Sequence, residues 1–577
     1  MRRGESGRGE GALGRIAVPA GVAVLAILAG WVLSEALSGY VVYLGIGAVV
    51  AAISLLGLGV VTGTAGMISL CQLTFAAVGA FVVAACNVAG VPGGFVVWLL
   101  LGGAVAAVAG VLVGLPALRL RGITLAVVTL GLAAAVDLTL VQIQFPGVPD
   151  SVQIERPELF SDDRAYFLFT VVVLVACALV VHVLQRSRWG SGWQMVAFSE
   201  RGTAAVGAGV RASKLTAFGV GAALGGISGG LLAGQVGLTF PASFTSIQSL
   251  ALYVLAIMSG THLIDMAVFG AVLWVAVPEL LKRWGVPQDW AFVIFGVLGV
   301  QALTSGGNLG TAVRGLWYRR RSRAAEGVEL AAELPELAPL TPGGPVLEVR
   351  GLSIAFGHVT ALADVDIAVP ENGVLGVIGP NGAGKSTLVD VVSGFLPQAT
   401  GTVTLDGRPL TGSPTRRART GLRRTFQQDR VPPGLTVGAY VRFVARRRLT
   451  SAEVASALEF FGCPAARTPL SLVDAGARRL VEVVGHLLAR PRVLLLDEPA
   501  AGLPHEEHVA FGRRLRQVPA RFGVSVLLIE HDLDLVRSVC DSLTVLDFGK
   551  VLASGPQAEV LADPAVLKAY MGETEML

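Results

Sequence analysis

The sequence predicts a polytopic α-helical membrane domain followed by a soluble α/β domain, and two observations lead to this prediction. The 577 residues are 53% hydrophobic and only 15% charged, whereas about a quarter of the residues in a soluble globular protein are charged. The apolar excess fills residues 15–305, where charges are sparse, and the remainder has an ordinary soluble composition. A chain of this length also exceeds what one hydrophobic core organises.

Composition sets the domain boundaries. Residues 1–14 are basic and polar, and we expect a short N-terminal tail. The apolar run that follows is longer than the core of a cleaved signal peptide, so we interpret it as the first membrane span. Residues 306–345 begin basic, turn acidic and end in Pro and Gly, which is typical of a linker. Strand-like alternation starts at 346, so the soluble domain is predicted over 346–577.

The membrane domain is predicted over 15–305. A helix needs roughly 20 apolar residues to cross a bilayer. By this criterion the domain holds eight to ten spans, because the eighth and ninth candidates are short and could be half-helices around SGTHLID at 259–265. The candidates are 15–37, 40–61, 66–89, 95–116, 123–143, 165–184, 214–236, 247–261, 264–280 and 288–304.

Positive charges between the spans indicate which side is cytoplasmic. Clusters of Arg precede the first span, follow the fourth and the sixth, and follow the last, and ten spans place them on one face. The N-terminus and the soluble domain are therefore predicted to be cytoplasmic, in a multi-pass protein of the plasma membrane. The acidic loop at 145–164 then lies outside, and Lys282 and Arg283 do not fit the pattern.

Two features of the membrane domain leave alternatives open. Small residues recur in GLGVVTGTAG (57–66) and GVGAALGGISGG (219–230). They either allow close helix packing alone, or also allow broken helices that line a cavity. The inside loop at 186–215 can form a short helix around 193–207, and is either a plain connector or the place where a soluble motor pushes. Charged side chains are nearly absent from the spans, so a proton relay is not favoured.

The strongest motif is GPNGAGKST, which fits the phosphate-binding pattern G-x-x-x-x-G-K-[ST] between an apolar strand and a helix-forming stretch. The glycines let backbone N–H groups surround phosphates, Lys385 reaches the β- and γ-phosphates, and Ser386 can bind Mg²⁺. The predicted nucleotide-binding residues of this loop are Gly379, Pro380, Asn381, Gly382, Ala383, Gly384, Lys385, Ser386 and Thr387.

Two further buried strands end in polar residues. VLLLDE (493–498) places Asp497 to hold Mg²⁺ through its water shell and Glu498 to polarise the attacking water. VSVLLIEHD (524–532) carries His531, which can contact the γ-phosphate if its strand is parallel to the other two. Each feature alone has a purely structural alternative, but beside a phosphate loop they predict an ATP-hydrolysing site.

GPNGAGKST, LLLDEP and IEHD in this order resemble the ATP-binding-cassette (ABC) ATPases. The resemblance implies an α/β P-loop ABC-type nucleotide-binding domain with a helical subdomain, and ATP and Mg²⁺ as its ligands. RRTFQQ (423–428) is similar to the Q-loop of that family, which implies Gln427 as a catalytic and metal-contacting sensor, with Gln428 as the alternative. Phe356 resembles the aromatic residue that stacks on adenine.

LLLDEPAAGL, IEHDLDLV and VLDFGKVLASG resemble the cassettes of branched-chain amino-acid importers over about 346–572. In the membrane domain, GTAGMISLCQLTFAAVGAF (63–81) and LRLRGITLAVVTL (118–130) are loosely similar to the permease of the same importers. The chain therefore resembles a fusion of the two subunits. The first stretch lacks the usual Gln- or His-bearing polar character, and GLAAAVD replaces the usual glutamate after the second. These departures leave the solute open.

The resemblance implies ATP-driven import of small solutes, with branched-chain amino acids first and other hydrophobic amino acids, amides or urea as alternatives. It implies a second permease subunit, a second cassette and an extracytoplasmic solute-binding protein as partners in the lipid membrane. No nucleic-acid partner is expected, since the net charge is only +4. An exporter half-transporter is the alternative within the family, although exporters usually have six spans with long cytoplasmic extensions.

SLVDAGARRL (471–480) raises the last question. Counted back from LLLDEP, it contains the signature loop of the family, which is usually similar to L-S-x-G-Q. An ionised carboxylate at the serine position cannot donate a hydrogen bond to the γ-phosphate of an opposing cassette and repels it. This motivates a third alternative, an ATP-binding regulatory membrane module with weak hydrolysis, unless the carboxylate turns to solvent. The signature-loop residues are Asp474, Ala475, Gly476 and Ala477.

Overall fold

The computed structural model divides the chain into two compact units. The first comprises Met1–Trp193 and Arg211–Ala325, and the second comprises Gln194–Val210 and Glu326–Leu577. The structure describes residues 7–120, 122–261, 263–305, 342–428, 430–501, 503 and 505–571. Most of the predicted linker, 306–341, and the first six residues of the predicted tail lie outside these ranges.

The first unit is built from apolar helices. They are α1 (Gly7–Ala36), α2 (Gly39–Leu58), α3 (Gln72–Val88), α4 (Gly94–Ala117), α5 (Ile123–Ile143), α6 (Asp163–Arg186), α7 (Arg188–Phe198), α8 (Glu200–Ala205), α9 (Val210–Val236), α10 (Ser246–Ser259), α11 (Ile264–Arg283) and α12 (Trp290–Ser305), of which α8 and the end of α7 belong to the second unit. A π-helix at Gly59–Thr64 and 3₁₀ turns at Glu158–Phe160 and Pro241–Phe244 connect them.

The span prediction is confirmed. Among the described residues, 8 helices are long and apolar enough to cross a membrane, and Gln72–Val88 and Trp290–Ala302 are shorter apolar helices. The half-helix interpretation of the eighth and ninth spans is wrong. A 3₁₀ turn lengthens the eighth to Pro241–Ser259, and α11 runs for 20 residues because it continues to Arg283, beyond the apolar part that the sequence delimited.

Glycines let the end of α2 and the start of α3 pack closely against α9, which is itself unbroken over Val210–Val236. The chain leaves helical structure at 65–71, between the π-helix and α3, and the first residue of α3, Gln72, is buried. Its Nε2 donates to Ser54 O at 3.2 Å and to Gly221 O at 3.1 Å. A Cβ on Gly229 would lie 1.8 Å from Ala76 O, so only glycine allows this approach. Both packing and a break in the helix are therefore present.

The second unit contains an antiparallel sheet and a mostly parallel sheet. Their orders are β2-β1-β4-β5 and β10-β9-β3-β8-β7-β6, and in the second sheet β10 alone pairs antiparallel among the described strands. The strands are β1 (Pro345–Phe356), β2 (Val359–Pro370), β3 (Val374–Ile378), β4 (Thr400–Leu405), β5 (Arg408–Pro409), β6 (Leu422–Arg424), β7 (Val493–Asp497), β8 (Ser525–Ile529), β9 (Ser542–Asp547) and β10 (Lys550–Pro556).

Helices surround the parallel sheet, and three of them, α15, α16 and α17, follow β6 as the predicted helical subdomain. A 3₁₀ turn at Leu470–Leu472 precedes α17. The helices are α13 (Lys385–Val392), α14 (Pro414–Thr420), α15 (Val437–Ala445), α16 (Ser451–Phe460), α17 (Ala475–Leu487), α18 (His505–Arg516), α19 (Val518–Phe522), α20 (Leu533–Val539), α21 (Gln557–Ala562) and α22 (Pro564–Met571). The predicted fold class is confirmed for both domains.

The inside loop folds as part of the second unit. The single helix predicted around 193–207 is two helices, α7 and α8, because Ser199 between them adopts an extended conformation and its Oγ accepts from Gly202 N at 3.0 Å. Gly207 O accepts from Arg419 Nε at 2.9 Å. The loop thus contacts residues of the soluble domain, and its role in coupling stays a prediction.

Candidate nucleotide site

Three parallel strands bring the predicted motifs to one edge of the sheet. Val377 on β3 and Asp497 on β7 both pair with Ile529 on β8, so the carboxyl ends of the three strands are in line. The phosphate loop follows β3, Glu498 follows β7, and Glu530 and His531 follow β8. This is the edge at which ligands bind in parallel α/β sheets.

The phosphate loop opens directly into α13, which begins at Lys385. Gly384 precedes it with a φ of 101°, and a Cβ there would lie 2.6 Å from Ala361 O on β2. Glycine is therefore required at this turn. The unpaired N–H groups in the first turn of α13, together with the loop, form a site for phosphate.

Lys385 lies folded onto the loop that it follows. It is 9% exposed, and its Nζ donates to Gly379 O at 2.6 Å and to Pro380 O at 2.9 Å. Burial lowers the pKa of Lys385, while the charges of Glu498 and Asp497 act in the opposite direction. The ammonium group is thus held by neutral carbonyls near two carboxylates, where phosphate oxygens are the natural acceptors of its hydrogen bonds.

Asp497 is buried at the end of β7 and is 5% exposed. Its Oδ2 accepts from Arg424 Nη2 at 3.1 Å. Burial raises the pKa of Asp497, and the Arg424 charge opposes that rise. One carboxylate with the Ser386 hydroxyl and phosphate oxygens is a donor set that suits Mg²⁺, which retains waters and needs few protein ligands.

Glu498 adopts a left-handed backbone conformation with a φ of 47°. Its Oε2 accepts from Gln427 Nε2 at 2.8 Å, so the structure brings these two predicted residues together. Sequence reasoning missed Arg479, which ties the signature-loop helix α17 to both of them. Arg479 Nη1 donates to Glu498 O at 3.1 Å and to Ala501 O at 2.6 Å, and its Nη2 donates to Gln427 O.

Glu530 is a second residue that sequence reasoning missed. It is 1% exposed, and its carboxylate accepts from Ala500 N and His531 N, each at 3.3 Å. Burial raises the pKa of Glu530 to about 7, and the two backbone hydrogen bonds only partly oppose that rise. The side chain of His531 is exposed, and its Nδ1 lies 3.8 Å from Glu530 Oε2. The sequence signal was the carboxylate in IEHD after five buried strand residues.

Phe356 and Asp474 lie on separate elements of the second unit. Phe356 is the last residue of β1 and is 47% exposed. It belongs to the β1–β2 hairpin, and Ala361 O on β2 lies close to Gly384 of the phosphate loop. Asp474 is exposed and is the N-cap residue of α17, with Oδ1 accepting from Ala477 N at 2.8 Å. The carboxylate thus has a local structural role that neither sequence interpretation included.

The fold and this site define an ABC transporter chain that joins a membrane permease to an ATP-binding domain. A family model described as the permease component of the branched-chain amino acid transport system matches residues 40–303. An ABC transporter model matches 362–501, and one for the branched-chain amino acid ATP-binding cassette transporter matches 550–575.

The relatives cover the cassette. BraF of Pseudomonas aeruginosa, a high-affinity branched-chain amino acid transport ATP-binding protein, is 34% identical over 40% of this chain and 98% of its own length. LivG of Salmonella typhimurium, also a high-affinity branched-chain amino acid transport ATP-binding protein, is 34% identical over 40% of this chain and 98% of its own length. The solved ADP conformation of MJ1267, an ATP-binding cassette of an ABC transporter, is 29% identical over 40% of this chain and 99% of its own, with a TM-score of 0.36.

The chain therefore belongs to the branched-chain amino acid family of ABC transporters, with permease and ATPase in one polypeptide. It is a multi-pass membrane protein that binds ATP and couples an ATPase to transport. The family membership confirms the importer interpretation over the exporter alternative.

Proposed function

We propose that the chain imports small hydrophobic amino acids, with the branched-chain amino acids as its main solutes, at the expense of Mg·ATP. It lies in the plasma membrane with its N-terminus and cassette in the cytoplasm. It assembles with a second permease subunit, a second cassette and an extracytoplasmic solute-binding protein. The observation that carries the choice of solute is an uncharged cavity in the permease unit.

The nucleotide site supplies the energy through residues of separate strands. Lys385 and the phosphate loop bind the phosphates, Phe356 stacks on the adenine, and Ser386, Asp497 and Gln427 hold Mg²⁺. Glu498 polarises the attacking water and His531 contacts the γ-phosphate. The 2.8 Å contact between Gln427 and Glu498 supports a direct link between the Q-loop and the hydrolytic carboxylate. The inside loop then transmits the closure of two cassettes.

The cavity lies between α2, α3, α9, α10 and α11 and has a volume of about 270 Å³. Among the described residues that line it, none is charged, and Ser54, Ser228 and Gln248 supply polar groups. Ser54 is 3% exposed, and its Oγ has no hydrogen-bond partner in the described part of the chain. A buried hydroxyl without a partner is costly, so a polar group of a bound solute would satisfy it.

The rest of the cavity wall is apolar and suits an aliphatic side chain. Val50, Leu252 and Trp274 contribute to it, and Trp274 stacks on Phe295 with 6.0 Å between ring centroids. An apolar cavity of about 150 Å³ already binds benzene, so this one has room for a leucine-sized solute with its polar end at the hydroxyls. Urea would leave the apolar wall unfilled.

Replacing Trp274 with alanine tests this assignment in proteoliposomes that contain the assembled transporter and its solute-binding protein. The wider cavity should raise uptake of phenylalanine relative to leucine by on the order of tenfold, since small changes in an apolar pocket have effects of this size. Phe269→Ala is the matched control, because Phe269 lies on the same helix and is 42% exposed. An unchanged uptake ratio in Trp274→Ala would show that the cavity does not hold the solute, and uptake of urea but no amino acid would refute the solute class.

A further inference from the structure

We propose that Arg201, Asp390, Arg424 and Asp497 form an ionic chain through which the metal site of the cassette controls the inside loop. Arg201 Nη2 donates to Asp390 Oδ2 at 2.7 Å. Arg424 Nη1 donates to the other oxygen of Asp390, and Arg424 Nη2 donates to Asp497 Oδ2 at 3.1 Å. Two arginines and two carboxylates thus connect α8 to the end of β7 through direct hydrogen bonds.

Aromatic packing holds the two arginines in place. The Arg201 guanidinium carbon lies 4.6 Å from the ring centroid of Phe395, and that of Arg424 lies 4.7 Å from the ring centroid of Phe426. The two rings meet edge to face, with centroids 5.9 Å apart. Each cation therefore lies over an aromatic face, which restricts its planar group to the geometry that reaches Asp390.

The charge balance of the ionic chain depends on Asp497. Arg424 is 4% exposed, so its interactions with the two carboxylates are little screened by water. Arg424 shares the Asp497 carboxylate with any metal ion bound there, and the guanidinium is repelled by that positive charge. Arg424 would then shift its bonding toward Asp390, and Arg201 would lose part of its share of that carboxylate.

Sequence position supports a role in coupling rather than in hydrolysis itself. Asp390 lies five residues after Lys385 in α13, with its side chain turned from the phosphate loop toward Arg201 and Arg424. Arg201 belongs to the inside loop segment Gln194–Val210, which folds with the cassette. Asp390 and Arg424 are therefore positioning residues between the metal site and the loop. This inference rests on the proposed function only for its link to transport.

Hydrogen exchange in the assembled transporter tests the ionic chain directly. A Glu498→Gln background prevents hydrolysis, and the probe is Mg²⁺ added to the ATP-bound protein, compared with ATP and a chelator. We expect Mg²⁺ to change the protection of the amides in 194–210. Asp390→Asn keeps the shape and removes the charge, so it should abolish that change while the phosphate loop 379–387 stays protected. The same change in Asp390→Asn as in the background would overturn the proposal.

A matched control lies at the opposite end of the parallel strands. Arg492, just before β7, also bridges two carboxylates, with Asp406 at 2.7 Å and Glu371 at 3.0 Å. Asp406→Asn makes the same substitution in that cluster, and the Mg²⁺ response of 194–210 should persist. Loss of the response in Asp406→Asn as well would overturn the proposal, because any broken ion pair would then suffice.

A transport measurement is the second test of the ionic chain. Arg201→Ala and Asp390→Asn should each lower leucine transported per ATP hydrolysed by on the order of fivefold, and the double variant should be no worse than either. Additive losses would overturn the proposal, since they would place the two residues in separate pathways. If the wild-type assembly moves no leucine, the proposed function is refuted. The hydrogen-exchange measurement still tests the ionic chain in that case, because it does not depend on leucine transport.

Discussion

At the scale of single residues, three carboxylates on one sheet edge differ in their environments. Asp497 accepts from Arg424, Glu498 accepts from Gln427, and Glu530 is buried and accepts from the backbone N–H groups of Ala500 and His531. The motif LLLDEP predicted the first two as site residues. It could not identify Arg424 or Glu530, because their roles depend on which neighbours the sheet brings beside them.

The raised pKa of Glu530 predicts a pH-dependent stability. Its usual pKa is 4.5 and burial raises it to about 7, so the folded state favours the protonated acid. The contribution of Glu530 to the free energy of unfolding is fully present below pH 4.5 and is lost as the pH rises through about 7. Glu530→Gln should remove that loss and stabilise the protein above pH 7 by up to about 3 kcal/mol, at 1.36 kcal/mol per pKa unit.

Thermal unfolding of the purified full chain at several pH values checks this expectation. The wild type should lose stability between pH 4.5 and pH 7 relative to Glu530→Gln, and the two curves should run parallel outside that window. Parallel curves throughout would show that Glu530 titrates at its ordinary pKa. Glu559→Gln is a suitable control, because Glu559 is exposed.

At the scale of elements, helix ends explain where sequence reasoning succeeded and where it failed. The apolar runs predicted the membrane spans, because a span is recognised from the length and the apolar composition of its helix. The split at Ser199 and the length of α11 escaped prediction, since a capping hydroxyl and a charged last turn override the apolar pattern. The sequence predicted the signature loop from its distance to β7, but it did not predict the cap at the start of α17.

That cap allows the charge of Asp474 to be tested separately from its structural role. In a head-to-tail pair, this loop would face the ATP held by the partner cassette. Asp474→Asn keeps an oxygen for Ala477 N and removes the charge, so ATP turnover at the partner's site should rise by about tenfold if the charge meets the γ-phosphate. Turnover is measured in the assembly with this chain's own site disabled by Lys385→Ala.

Asp474→Ala separates the two effects. It removes both the charge and the cap, which costs about 1 kcal/mol of helix stability, so its gain in turnover should be smaller than that of Asp474→Asn. Equal turnover in the wild type and Asp474→Asn would show that the carboxylate points to solvent. A partner site that stays silent in every variant would instead favour the regulatory module with weak hydrolysis.

At the scale of the whole molecule, two units share one polypeptide, and Gln194–Val210 of the membrane domain's sequence folds with the cassette. The sequence predicted both domains, because an apolar permease and a phosphate-loop ATPase differ strongly in composition and motif. It could not predict that this loop joins the second unit, since that depends on long-range contacts such as Arg419 with Gly207. The site residues outside the motifs escaped prediction for the same reason.

Uptake of labelled leucine into proteoliposomes tests the central claim most directly, with the cassette facing the lumen and the solute-binding protein added outside. Mg·ATP enclosed in the lumen should drive leucine from the outside medium into the lumen. Glu498→Gln should bind ATP with unchanged affinity, yet reduce this movement to the background level. Leucine movement that is unaffected by Glu498→Gln, or that runs away from the cassette side, would contradict ATP-driven import by this chain.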